Sequence, residues 1–357
     1  MSVATRAGQP TPTMTNKPDP QLLFLLGINL VVLLAGAAVS RGAFIDPYNL
    51  QSMSAQLPEL GLLAMGVMLA MCAGNGGIDL SGIALANLSG VLSALLVGQW
   101  VPFDEAPWLF TSAFIGVALA VGLLGGLFNG LLIARLGFTP ILCTLGTQLL
   151  FTGLAVVLSA GASVRVGSAE PLMELGNGLL LGMPLNFLLF CAVALLLGMV
   201  LKFSPFGIRL MLMGTNPKAA RYAGFAQTRL LLTTYALCGV LASLAGVLIA
   251  SRNVNVKWDY GQSYLLIAIL ITVMAGVRPE GGYGRMTCLF LSTTALQLLS
   301  SMLNFVGLSN FFRDFAWGLL LLVFLAVSRY DLAALLRPGA NRINPSAQLP
   351  PAPKRPS

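Results

Sequence analysis

Apolar residues run along this chain in long unbroken stretches. They form neither the alternation of a half-buried strand nor the one-sided stripe of a surface helix. Stretches of about 20 residues recur from near position 21 to near position 330, the length an α-helix needs to cross a hydrocarbon core. Ten spans are predicted: 21–40, 59–75, 81–99, 109–135, 139–160, 183–203, 229–251, 263–278, 286–305 and 310–329. A backbone facing lipid must satisfy its own hydrogen bonds, and long apolar runs do so as helices. The alternating ten-residue strands of a membrane barrel are absent. The expected fold class is an all-α polytopic membrane protein with about ten transmembrane helices. The second and eighth spans are short and run into glycine-rich breaks, so broken or re-entrant helices are expected there.

Composition and charge add a direction to this pattern. Of 357 residues, 57% are hydrophobic and 9% charged, against about 25% charged in soluble domains. Of the 20 basic residues, Arg41, Arg165, Arg252, Lys257 and Arg313 fall on one side of the predicted bilayer and the rest on the other. The richer side is expected to be cytoplasmic, which places both termini there and supports an even number of spans. Residues 1–20 read as a disordered cytoplasmic tail, 21–330 as the transmembrane domain, and 331–357 as a Pro-rich basic cytoplasmic tail. The first apolar run resembles a signal anchor, and the spans after it argue against a cleaved secretory signal. The net charge of +8 follows from topology. Because it is spread over membrane flanks, no nucleic-acid partner is expected. Cys72, Cys143, Cys191, Cys238 and Cys288 each fall within an apolar span without CxxC spacing and read as small buried hydrophobes.

Several chemistries are missing. The chain has no histidine, which removes the commonest proton shuttle and metal ligand. None of its five lysines sits in a GxxxxGK[ST] phosphate loop. Of the acids, Glu59, Asp79 and Asp314 fall near span ends and none in mid-span, unlike the pattern of ion-coupled carriers. No catalytic constellation is visible, so no enzyme is expected. Asp46, Glu59, Asp104, Glu105, Glu170, Glu174, Asp259 and Asp314 form an acidic outer rim, suited either to docking a basic partner or to ordinary solvation.

Four polar interruptions carry the functional reading. In 73–81 three glycines, Gly74, Gly76 and Gly77, break a helix before Asp79 and Ser81, which can cap the next one. A plain helix break and a break bordering a solute path both fit. Gly122, Gly126 and Gly130 recur at i, i+4, i+8, a smooth stripe for close helix packing. Asn129 beside it can bond across helices or face a pore, and Thr139-Pro140 reads as a cap with a first-turn proline. Residues 275–284 echo the first break: Ala-Gly, then a double glycine, between two apolar helices. Finally, Phe206–Gly224 puts Arg209, Lys218 and Arg221 on two short helical pieces around Asn216-Pro217. This is either a solvated loop or a handle for another protein.

Gly76–Ser81, Leu127–Gly130, Phe138–Thr147 and Phe206–Gly224 together resemble, in order, the permease subunits of ribose- and simple-sugar-type ABC importers, relatives of the branched-chain amino-acid permeases. The resemblance covers roughly 45–330. Two departures are Gly82-Ile83 in place of Val-Gly, and the intervening Val277–Glu280. The resemblance implies a coupling segment, 204–228, that docks into an ABC ATPase through Gly214, Asn216, Pro217, Ala220, Arg221 and Gly224. It further implies a second permease subunit, a periplasmic sugar-binding protein, a bacterial inner-membrane location, and ATP and Mg bound by the partner with no cofactor on this chain. A path for a neutral solute is expected to be lined by Asn75, Asp79, Asn87, Asn129, Thr147 and Gln297, residues that also fit as packing glue. The alternatives left open are a stand-alone secondary carrier or channel, an amino-acid ABC permease and, third, a membrane enzyme.

Overall fold

The computed structural model describes residues 19–329, so the expected tails lie almost wholly outside the described residues. Four helices begin on the same local chemistry: a short polar side chain followed by proline, which caps a free amide and presets the first turn. Asp19 Oδ1 accepts from the Gln21 amide ahead of α1 (Pro20–Val39), and Asp46 Oδ1 accepts from the Tyr48 amide ahead of α2 (Pro47–Cys72). After them come α3 (Gly82–Trp100), α4 (Pro107–Ala134), α5 (Pro140–Ser159), the short α6 (Glu170–Asn177) and α7 (Leu185–Phe203). Ser204 and Asn216 repeat the cap for α8 (Pro205–Thr215) and α9 (Pro217–Tyr222). The chain ends its described part with α10 (Gln227–Asn253), α11 (Tyr264–Met274), α12 (Met286–Phe305) and α13 (Asn310–Arg329). Sheet among the described residues is limited to two-residue antiparallel pairs, Val164–Arg165 with Asn255–Val256 and Leu179–Leu180 with Met183–Pro184.

Ten of these helices occupy the ten predicted spans. Eight are long and apolar enough to cross a membrane. The ninth, α11, has only 11 residues and is the expected broken element. The tenth, α13, carries Arg313 and Asp314 in its first turns. The second span differs from expectation: it is 26 residues long and starts at Pro47, not at 59. Its first three turns hold Asn49, Gln51, Ser52, Ser54 and Gln56, which lower the hydropathy without opposing a helix already capped by Asp46. The continuous helix places Glu59 midway along α2 rather than in an outer loop.

Packing is densest around α2 and α10, both mostly buried, with α1, α5 and α7 keeping largely exposed apolar faces. The glycine stripe of α4 lies against α10. A Cβ on Gly126 would overlap the Tyr235 carbonyl, one on Gly122 would overlap Ser243, and Gly239 of α10 answers from the other side. Such backbone-to-backbone contact maximises dispersion where lipid supplies no hydrophobic drive. Helices α1 and α12 run parallel: Asp19 pairs with Arg285 at one end, Asn29 Nδ2 donates to the Leu291 carbonyl at 3.0 Å, and the Phe44 and Phe305 rings meet at 5.8 Å at the other. Alternation of the helices gathers Arg135, Lys202, Arg209, Lys218, Arg221, Arg229, Arg278 and Arg285 at one end of the bundle, called here the basic end.

Candidate functional site

At the basic end, α8 and α9 form an L-shaped element. Ser204 Oγ accepts from the Gly207 amide at 3.2 Å, and Asn216 Oδ1 accepts from the Ala219 amide at 3.0 Å across the corner. Asn216 is extended (φ −151°, ψ 91°), which turns the chain between the two helices. Gln227 Nε2 donates to the Pro217 carbonyl at 2.5 Å and ties the corner to α10. Ala220 faces inward, whereas Lys218, Arg221, Tyr222 and Gly224 are exposed. The outer surface is thus basic and apolar, on a frame with its corner amides satisfied. Gly224 takes φ +76°, which closes α9 in the left-handed region that glycine enters freely.

The inner end of α8 reaches both glycine breaks. Gly214 is buried, and a Cβ there would overlap the Cys72 carbonyl and the Gly282 amide. Gly74 and Gly281 lie against Gly214 and against one another, each backbone so close that a Cβ on either would clash. Gly76 N–H donates to the Pro279 carbonyl at 3.1 Å, and Gly282 N–H donates to the Cys72 carbonyl at 3.2 Å. The two segments that echo each other in sequence are therefore hydrogen-bonded partners, with the L-shaped element wedged between them. Gly74, Gly281 and Gly282 all adopt positive φ, between 78° and 94°, open to glycine at little cost.

Above this junction, residues 73–81 climb back along α2 before α3 begins; a Cβ on Gly82 would sit 3.5 Å from Leu63. Here buried polar bonds tie the break to α4 and α5. Asp79 Oδ1 accepts from the Ser81 amide at 2.9 Å and from Ser81 Oγ at 2.7 Å, and Asn129 Nδ2 donates to Ser81 Oγ at 2.8 Å. Thr144 Oγ1 donates to the Ile78 carbonyl at 2.9 Å. The free space beside Asp79 is only about 10 Å³, between Leu63, Gly66 and Cys238. That is near the minimum for one water, and the Asp79 carboxylate is engaged with Ser81 at the start of α3.

The other path candidates are placed separately. Asn87 Nδ2 donates to the Trp258 and Tyr260 carbonyls at 3.1 and 2.9 Å, holding the 254–263 loop against α3. Thr147 Oγ1 bonds back to the Thr144 carbonyl at 3.2 Å, Gln297 is buried on α12, and Asn75 is exposed at the tip of the first break with φ +57°. Asp79 and Asn129 are brought together; Asn75, Asn87, Thr147 and Gln297 do not join them.

One constellation lies outside the sequence expectation. Glu59 is buried, and its Oε1 accepts from Arg252 Nη1 at 2.6 Å, while the Tyr260 and Tyr264 hydroxyls each approach Oε2 at 3.3 Å. A carboxylate in mid-helix requires such partners in a low-dielectric interior. The acidic outer rim therefore loses Glu59. The signal was present in Asp46-Pro47, a helix start twelve residues earlier than hydropathy suggests.

The family described as "Branched-chain amino acid transport system / permease component" matches residues 49–327. The ribose import permease protein of Bacillus subtilis (strain 168) is 30% identical over 303 residues, covering 85% of this chain and 91% of that protein. The autoinducer 2 import system permease protein LsrD of Enterobacter sp. (strain 638) is 30% identical over 310 residues, covering 85% and 90%. The L-arabinose transport system permease protein AraH of Escherichia coli (strain K12) is 29% identical over 305 residues, covering 85% and 89%.

Proposed function

This chain belongs to the branched-chain amino acid transport system permease family, and from that membership we propose that it is the membrane-spanning permease of a binding-protein-dependent ABC importer for a sugar or sugar-like solute. The observation that carries the proposal is the α8–α9 element: an exposed basic surface whose buried root, Gly214, is wedged between both helix breaks. A partner that displaces Lys218, Arg221 or Tyr222 would move Gly214 against Gly74, just past α2, and against Gly281, between α11 and α12, through backbone contacts. That partner is an ABC ATPase subunit, which binds ATP and Mg and performs the hydrolysis; this chain does no catalysis.

The basic end then faces the cytoplasm, in accord with the excess of Lys and Arg there, and the membrane is the bacterial inner membrane. A second permease subunit completes the pore. A periplasmic sugar-binding protein meets the opposite end, where Asp104, Glu105, Glu170, Glu174 and Asp259 are grouped by helix alternation. The switch between access states follows differential binding of ATP and solute to the two states.

Arg221→Glu and Gly224→Trp test the element in the complex reconstituted with its ATPase. Substrate-stimulated hydrolysis is expected to fall about tenfold or more, the scale of a like-charge clash at an interface. Normal assembly with unchanged stimulation would sink the assignment. The family description itself favours a second reading, an amino-acid importer. Calorimetry with the partner binding protein separates the two: binding of a pentose or a related polyol supports the first, and binding of an aliphatic amino acid supports the second.

A further inference from the structure

A groove of about 1210 Å³ opens on the membrane face of the protein between α1, α7 and α12, at the basic end. Its lining is apolar and includes Leu22 and Leu26 of α1, Ala194 and Gly198 of α7, and Phe290 of α12. Small residues make the depth: α7 presents Ala194 and Gly198 one turn apart where a larger side chain would close it. The outer wall, Leu195, Met199 and Phe203, is exposed.

The rim differs from this lining. Lys202 and Arg285 both line it. The Lys202 ammonium lies 5.1 Å from the Phe203 ring centre and has no carboxylate partner among the described residues; the Arg285 guanidinium sits 5.5 Å from the Tyr283 ring centre and pairs through one nitrogen with Asp19. Among the described residues, Lys202, Arg285 and Asp19 leave a net single positive charge at the mouth of a hydrocarbon-lined slot. The first turn of α12, which the Arg285 side chain does not cap, opens on the same rim.

We propose that this groove is a binding site for an anionic phospholipid, with one acyl chain along the Leu22–Ala194–Phe290 lining and the phosphate between Lys202 and Arg285. The charge balance matches a phosphodiester carrying one negative charge. A zwitterionic headgroup would bring its own cation to the basic rim, so it is disfavoured. Basic pockets between helices at the cytoplasmic leaflet are suited to anionic headgroups in general, and Lys202, without a carboxylate partner among the described residues, supplies the discrimination here. The proposal concerns the permease alone and stands apart from the assignment of its cargo.

The full-length protein, reconstituted in vesicles of equimolar phosphatidylglycerol and phosphatidylcholine, is extracted gently and its retained lipids are counted by native mass spectrometry. Wild type is expected to keep one phosphatidylglycerol in preference to phosphatidylcholine. Lys202→Gln is expected to reduce that retention about fivefold, and Lys202→Arg to preserve it. A phosphatidylglycerol with a photoreactive acyl chain is expected to label peptides from α1, α7 and α12. Equal retention of the two lipids by wild type would overturn the proposal, whatever the variants do. So would labelling confined to other helices, or photo-cross-links from Met199 that join two copies of the chain instead of reaching lipid.

Discussion

Glu59 and Arg252 hold a charge pair in which the two partners are unequally placed. Glu59 is 1% exposed and Arg252 25%. Removing the arginine strands a carboxylate that water cannot reach, whereas removing the carboxylate leaves an arginine that can turn outward. Arg252→Met is therefore expected to cost about 3 kcal/mol, the lower end for a broken buried pair, and Glu59→Gln about 1 kcal/mol, the scale of one weakened hydrogen bond. Thermal unfolding in detergent measures both, and the double variant is expected to recover part of the Arg252→Met loss. Equal costs for the two single changes would refute the asymmetry. This pair was hidden in the sequence because Glu59 stands at the edge of an apolar run, and hydropathy has no means of pairing it with residues almost 200 positions away. Asp79, by contrast, was legible as a residue that orders a break, since carboxylate, serine and glycines are neighbours in the chain.

At the scale of elements, the regular parts were legible and the interrupted parts only partly so. The Gly122, Gly126 and Gly130 stripe predicted close packing, and α4 and α10 touch backbone to backbone along it. Gly126→Leu is expected to force these helices apart and to cost about 3 kcal/mol or more, read as a lowered unfolding temperature and a shift to aggregate on gel filtration. Gly116→Leu, on the same helix with open space around it, is the matched control and should leave both unchanged. The start of α2 was missed because capping and hydropathy disagreed there, and the Asp46-Pro47 cap prevailed. The two glycine breaks were seen as similar; that they bind one another was not, because resemblance in sequence carries no distance.

For the whole molecule, the alternation of ten helices puts Lys218 and Arg165 at opposite ends. Single-cysteine probes check this directly. Lys218→Cys is expected to react with a membrane-impermeant maleimide only from the cytoplasmic side, and Arg165→Cys only from outside. Of the native cysteines, Cys72, Cys143, Cys238 and Cys288 are buried and Cys191 is half-buried among helices, so background labelling should be low. Reaction of both probes from one side would overturn the topology. The places of the ten helices along the chain were legible because the bilayer imposes a length rule on every segment, whereas their direction rests on the charge rule alone. The sequence did not separate packing residues from path residues, because polar groups inside a membrane serve packing and passage with the same atoms. The junction of Gly74, Gly214 and Gly281 has a mechanical meaning of its own. Side-chain contacts yield by changing rotamer, and each such adjustment absorbs part of an imposed displacement. Where three main chains abut with no side chain between them, that slack is gone. Under the proposed coupling, the linkage is expected to work as a gear train with little backlash: a small movement of α8 passes to Gly74 at the end of α2 and to Gly281 between α11 and α12, and movement of those segments passes back toward α9.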